Sequence, residues 1–160
     1  MIIDNMNRLE KIKSKFDQLK IDSFLVKNLP SIRYLSGFSG SAASVVLTKE
    51  KNYFITDFRY KTQSQQEVSK DFEIIIYTQN SNMFLKDLIS KHNLKRTGFE
   101  SNFLTYAETE NLNKDFSKET QLFTKVRGLE NVEVHWSSHV EFVAVDSLIE
   151  NITIVKNENE

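Results

Sequence analysis

Residues 43–60 read ASVVLTKEKNYFITDFRY, and the fold turns on how this stretch is parsed. Ala43 to Thr48 and Tyr53 to Thr56 are β-branched and aromatic runs on either side of the polar KEKN. That is the pattern of two antiparallel strands joined by a tight connection. The second run meets Asp57, and the polar, helix-tolerant FRYKTQSQQEVS follows. A carboxylate placed there accepts from the free N–H groups of a helix's first turn. The stretch therefore predicts strand, turn, strand and then a helix capped by Asp57, with an ion pair between Asp57 and Arg59 as the simplest use of the two charges.

Outward from it, the same alternation continues in both directions. Met6, Leu9, Ile12, Phe16 and Leu19 recur at helical spacing, which predicts one amphipathic helix with Asp4 or Asn5 as N-cap. Ile21 to Val26 reads as a strand that ends in a loop at Asn28-Leu29-Pro30. Beyond the hairpin, Phe72 to Tyr77 (FEIIIY) carries a four-residue apolar core, expected of a central strand covered on both sides. A helix over Met83 to His92, a short strand at Thr97 to Phe99 and a helix over Thr105 to Lys114 follow. At the C-terminus Leu148, Ile149, Ile152 and Val155 form a helical stripe capped by Asp146. The expected architecture is a three-layer α/β/α domain on a mixed sheet of about six strands.

Composition narrows the function classes. The chain has 160 residues, enough for one well-buried core, and 21 Lys and Arg against 22 Asp and Glu. So balanced a charge predicts neither nucleic acid nor an anionic membrane as partner. No cysteine is present, which excludes disulfides and thiol catalysis and suits a cytoplasmic location. The first residues turn charged at once, unlike a signal peptide, and no apolar run approaches the roughly 20 residues of a spanning helix.

Two constellations invite a chemical reading. Gly37 and Gly40, two of four glycines, bracket Phe38-Ser39. The loop lacks the final glycine of a nucleophile elbow, the lysine of a phosphate loop and the third glycine of a dinucleotide fingerprint. A positive φ or close packing at a strand entry is the expected use of both glycines. His135 and His139 stand four apart, but Glu133, His135, Ser137, His139 and Glu141 alternate with apolar residues. That is strand periodicity, which separates the two rings by about 13 Å and rules out a shared metal ion. Arg59, at a strand end, is a candidate to hold a carboxylate with its planar fork.

Taken together, SIRYLSGFSGSAASVVLT (31–48) and YFITDFRYKTQ (53–63) resemble the N-terminal domain of the Xaa-Pro peptidases, the creatinase, prolidase and aminopeptidase P group. The resemblance rests on Ile32-Arg33-Tyr34-Leu35, Gly37-Phe38, Gly40-Ser41-Ala42, Thr56-Asp57 and Arg59-Tyr60, and it extends into VDSLIENITIVKNENE. It implies a ribonuclease H-like mixed sheet, with residues 1–145 as a non-catalytic domain and 146–160 as a linker helix toward a catalytic domain that this sequence lacks. It further implies two divalent metal ions, commonly manganese, in that catalytic domain and none in this chain. The partners implied are that domain, a second subunit of a homodimer and proline-containing peptides.

By the same resemblance, Phe38, Ser39 and Arg59 are cleft or interface candidates, with Phe38 as an apolar rim. Gly37, Gly40, Asp57 and Tyr60 are structural motif residues. The stripe Ile152 to Val155 would pack on the catalytic domain. A protein-binding module of an inactive relative and a creatinase-type amidinohydrolase are the alternative parent proteins. Thr153 departs from the arginine usual in the family's linker helix, and residues 125–138 match none of its patterns.

Overall fold

The computed structural model describes residues 2–78, 81–102, 107–108 and 140–157. Six strands form one mixed sheet: β1 (Ser23–Val26), β2 (Ser44–Thr48), β3 (Asn52–Asp57), β4 (Glu73–Tyr77), β5 (Arg96–Glu100) and β6 (Glu141–Val145). Their order is β4-β3-β2-β1-β5-β6. The β1–β2 and β2–β3 pairs are antiparallel, while β3–β4, β1–β5 and β5–β6 are parallel. The predicted hairpin is β2–β3, with Val45 opposite Phe54 and Val46 opposite Tyr53.

Strand alternation sends side chains to two separate cores. Phe24, Val26, Val45, Leu47 and Phe54 point to one face. There they meet Leu9 and Ile12 of α1 (Ile2–Lys13), Phe16 of α2 (Phe16–Leu19), Ile32 and Leu35 of α3 (Leu29–Ser36), and Leu148 and Ile149 of α6 (Leu148–Asn157). Leu25, Val46, Tyr53 and Ile55 point the other way, onto Leu85, Leu88 and Ile89 of α5 (Ser81–Lys91). The three layers expected from the sequence are thus present, with the larger core under α1, α3 and α6.

Four expectations need correction. The N-terminal stripe is split between two helices, because the chain turns at Ser14–Lys15, where Lys15 N–H bonds Ile12 O at 3.1 Å. The turn keeps Leu9, Ile12 and Phe16 on one side, so the periodicity survives the break. Asp4 and Asn5 lie inside α1, which begins at Ile2, and do not cap it.

Asn28-Leu29-Pro30 opens a helix, α3, and not a loop. Pro30 sits in its first turn, where a missing N–H costs nothing. Ile32 and Leu35, both fully buried, hold it to the sheet.

FEIIIY is an edge strand of the described sheet. Ile74 packs on one core and Ile75 and Tyr77 on the other, which explains the unbroken apolar run, but all three stay half-buried.

In α6, Leu148 and Ile149 are buried and Ile152 packs against the same core, while the side chain of Val155, the other end of the stripe expected to meet a catalytic domain, lies outside the described residues. Asp146 precedes the helix by two residues and takes Asn102 Nδ2 and Ser147 Oγ, both at 3.0 Å.

The α5 and β5 expectations hold within a residue or two. Of the helix expected over Thr105–Lys114 only Ala107 and Glu108, both helical, are described. His135, His139 and residues 125–138 lie outside the described residues.

Candidate functional site

Chain geometry gathers the loop after α3 and the end of β3 into one corner. The α3 helix stops at Gly37, whose φ of 85° is the left-handed cap conformation, its N–H bonding Arg33 O at 2.9 Å. A side chain there would be strained, and its Cβ would stand 2.9 Å from Glu67 O.

The loop then drives Phe38 inward. Phe38 is 1% exposed and meets Phe54 and Tyr60 edge-on, at centroid distances of 4.9 and 5.5 Å. Gly40 lies under this ring, where an added Cβ would come 2.2 Å from Phe38 Cζ. One expected glycine use therefore falls at each position, a positive φ at Gly37 and a close approach at Gly40. The rim role given to Phe38 is corrected, for its ring is core. The exposed aromatic of this corner is Phe58, 63% exposed.

Ser39 turns outward onto α4 (Lys61–Glu67). Its N–H reaches Glu67 Oε2 at 2.8 Å and its Oγ both carboxylate oxygens at 2.9 Å, while Gln63 Nε2 donates to Ser39 Oγ at 3.2 Å. The backbone N–H of Ser39 first, and its hydroxyl next, hold the Glu67 carboxyl below the usual range. Ser41 Oγ and Tyr60 OH lie 2.5 Å apart, and Thr56 Oγ1 donates to Ala42 O at 2.6 Å. The loop is pinned to α4 and to β3 by side chains.

Asp57 ends β3 and caps the 3-10 turn Phe58–Tyr60 that leads into α4, accepting from Arg59 N–H at 3.0 Å. Its carboxylate also takes the Arg59 fork, Nε at 2.9 Å and Nη2 at 2.8 Å. This side-chain bond is the main force holding the Asp57 carboxyl below its usual range. It likewise raises the guanidinium further above its own. The expected cap and ion pair are both present. Arg59 is 65% exposed at its side chain, and the guanidinium lies 5.6 Å from the Tyr60 ring centroid. Gly37, Phe38, Ser39, Gly40, Asp57, Arg59 and Tyr60 thus occupy one corner, with Phe58 and Arg59 on its outer surface.

A second carboxylate was not anticipated. Glu100 ends β5 and is 6% exposed. Ser31 Oγ of α3 donates to its Oε1 at 3.0 Å, and Asn28 Nδ2 donates to Ser31 Oγ at 3.0 Å. Oε2 is buried without a hydrogen-bond partner among the described residues. Burial, reinforced by Glu150 and opposed by the Ser31 bond, pushes the carboxyl up to about 7. The signal available was Glu100 on the same strand face as Gly98, itself packed against Ile21 and Phe24. A carboxylate two residues beyond a glycine that the core encloses is placed to be buried too.

Among the described residues no three His, Cys, Asp or Glu side chains gather as metal ligands. The resemblance puts its two divalent ions in the catalytic domain, so none of these residues is assigned to hold one. No helix of the described residues is long and apolar enough to cross a membrane.

Comparison with known proteins gives this corner a context. The chain is 41% identical over 99 residues to the uncharacterized peptidase YqhT of Bacillus subtilis (strain 168), covering 62% of this chain and 28% of that protein. It is 25% identical over 150 residues to a protein described as a probable Xaa-Pro aminopeptidase P from Laccaria bicolor, covering 84% of this chain and 23% of that one. The Xaa-Pro dipeptidase structure from Bacillus anthracis superposes with a TM-score of 0.73 at 25% identity, covering 92% of this chain and 35% of that one. This chain thus spans only about a quarter of the length of those two curated relatives. The family model described as Creatinase/Prolidase N-terminal domain matches residues 8–132, and the chain belongs to that family.

Proposed function

We propose that this chain is the N-terminal, non-catalytic domain of a cytoplasmic, metal-dependent Xaa-Pro peptidase. In this reading the corner built by Gly37–Ser41 and Asp57–Tyr60 faces the substrate cleft or the neighbouring subunit. The observation that carries the reading is the family match over residues 8–132, joined to relatives described as peptidases of which this chain covers only 28% and 23%. Peptide hydrolysis then belongs to the remainder of such a protein, where two divalent ions, manganese by family resemblance, would activate the attacking water. Residues 146–160 would lead toward that remainder. A homodimer and proline-containing peptides are the partners.

The corner suits a wall better than a reacting centre. Its loop is clamped by Glu67 and Thr56, and Asp57 holds the Arg59 fork in one orientation. A side chain so held loses little freedom on meeting a ligand. Arg59 would present the edge of its guanidinium away from Asp57 to a carboxylate of the substrate or of the opposing wall, beside the exposed Phe58.

The test is Arg59→Ala in the full-length protein. The expected result is a raised KM for Xaa-Pro peptides with kcat little changed, the mark of lost binding, or an altered oligomer. Unchanged kinetics together with unchanged oligomer size would remove the corner from the cleft. Loss of a metal-ligand set from the rest of the gene would point instead to a protein-binding relative, and hydrolysis of a guanidino substrate to the creatinase type.

A further inference from the structure

Glu100 belongs to no part of that reading, and its surroundings join three elements. Val145, the last residue of β6, is its register partner, and α6 begins three residues later at Leu148. Ser101 N–H bonds Val145 O at 3.1 Å and Asn102 Nδ2 bonds Asp146 Oδ1 at 3.0 Å, so the chain just past Glu100 holds the entry to α6. On the opposite side Ser31, in the first turn of α3, donates to Glu100 Oε1. The carboxyl is therefore tied to α3 through Ser31, and the residues that follow it are tied to the entry of α6. We propose that Glu100 is a proton-operated latch, neutral when α3 and α6 close over the end of β5 and loosening the first turn of α6 when it ionises.

Among the described residues two groups act on Glu100, and the other charges on the elements around it are engaged elsewhere. From α3 comes the Ser31 hydroxyl, which supplies one hydrogen bond. From α6 comes Glu150, a like charge. Lys27, just past the end of β1, is drawn by Glu108, and Asp146 is held by Asn102 and Ser147. One hydroxyl is a poor substitute for the hydration of a carboxylate, and Oε2 has no partner among the described residues. The neutral acid has far less to lose on burial, and it removes the repulsion with Glu150. Burial raises the group from 4.5 to about 7. The sign follows directly. The folded chain binds this proton more tightly than the unfolded one, so the contribution is complete below the unfolded value and is lost as pH rises through the folded value.

The experiment is urea unfolding of this 160-residue chain and of Glu100→Gln, which mimics the neutral acid, between about pH 4.5 and pH 8.5. The expected result is a fall in the wild-type folding constant on the order of 100-fold across that window, beyond any fall in Glu100→Gln. Parallel profiles would overturn the latch. Glu150→Gln should move the midpoint of the wild-type loss toward lower pH, and an unmoved midpoint would remove α6 from it. If Glu100→Gln fails to fold, carbon-13 titration of the Glu100 carboxyl in the wild-type chain decides. Titration near 7 supports the latch, and titration near 4.5 refutes it.

Discussion

Asp57 and Glu100 hold the same place in the fold and have opposite fates. Each is the last residue of a parallel-paired strand, each is under a tenth exposed, and each receives a hydrogen bond from the first turn of a helix. Asp57 caps its own chain and takes the Arg59 fork two residues on, and its carboxyl is held low. Glu100 is offered one hydroxyl from a distant helix and a like charge, and its carboxyl is pushed up. The difference shows that a strand-end carboxylate, raised by burial, is held low only where a cation outweighs that burial, as the Arg59 fork does at Asp57. With a cation it is a structural anion; without one it becomes a group that prefers its proton.

The floors beneath the two carboxylates give the largest test of this contrast. Phe38 lies against Phe54 and Tyr60 at the Asp57 corner, so Phe38→Ala should cost about 3–5 kcal/mol in urea unfolding. A cost near zero would mean that the corner does not rest on that ring. Glycines flank both sites, Gly40 beneath Phe38 and Gly98 beside Ile21 and Phe24. Adding a methyl group at either should destabilise by about 1–3 kcal/mol, because the added atom meets packed side chains. Melting temperatures of Gly40→Ala and Gly98→Ala check this, and a neutral outcome at either site would show its core to be slack.

The smallest effect separates the carboxylates themselves. Asp57→Ala should cost about 1 kcal/mol at neutral pH, the usual worth of an N-cap. Because the Asp57 carboxyl is depressed in the folded chain, its contribution is present above the unfolded pKa and fades as pH falls through the folded value. The cost of Asp57→Ala should therefore shrink in acid, opposite in sense to the Glu100 contribution, which fades as pH rises. Unfolding of the variant and the wild type at about pH 3 and pH 7 measures it, and a pH-independent cost would contradict the pairing with Arg59.

How far the fold was legible follows the reach of each signal along the chain. The β2–β3 hairpin, the Asp57 cap and the Arg59 pair depend on residues within a few positions of one another, and they could be read from 43–60 directly. Helix α3 was within reach, since Pro30 in its first turn and Gly37 just past its last are the usual marks of helix ends. The inward turn of Phe38 and outward turn of Phe58 depend on where the loop bends, which no periodicity marks. FEIIIY was misplaced because an edge strand between two helix layers is as apolar as a central one. Glu100 offered only its spacing from Gly98, because the Ser31 that binds it lies 69 residues away.

The proposed role, a cleft wall with no chemistry of its own, has one direct test. The decisive measurement is Xaa-Pro peptide cleavage by the purified 160-residue chain with added manganese, beside the full-length protein under the same conditions. Turnover by the full-length protein and none by the chain is the predicted result. Sustained turnover by the chain alone would contradict it, because a hydrolytic site would then have to exist among residues assigned here to a wall.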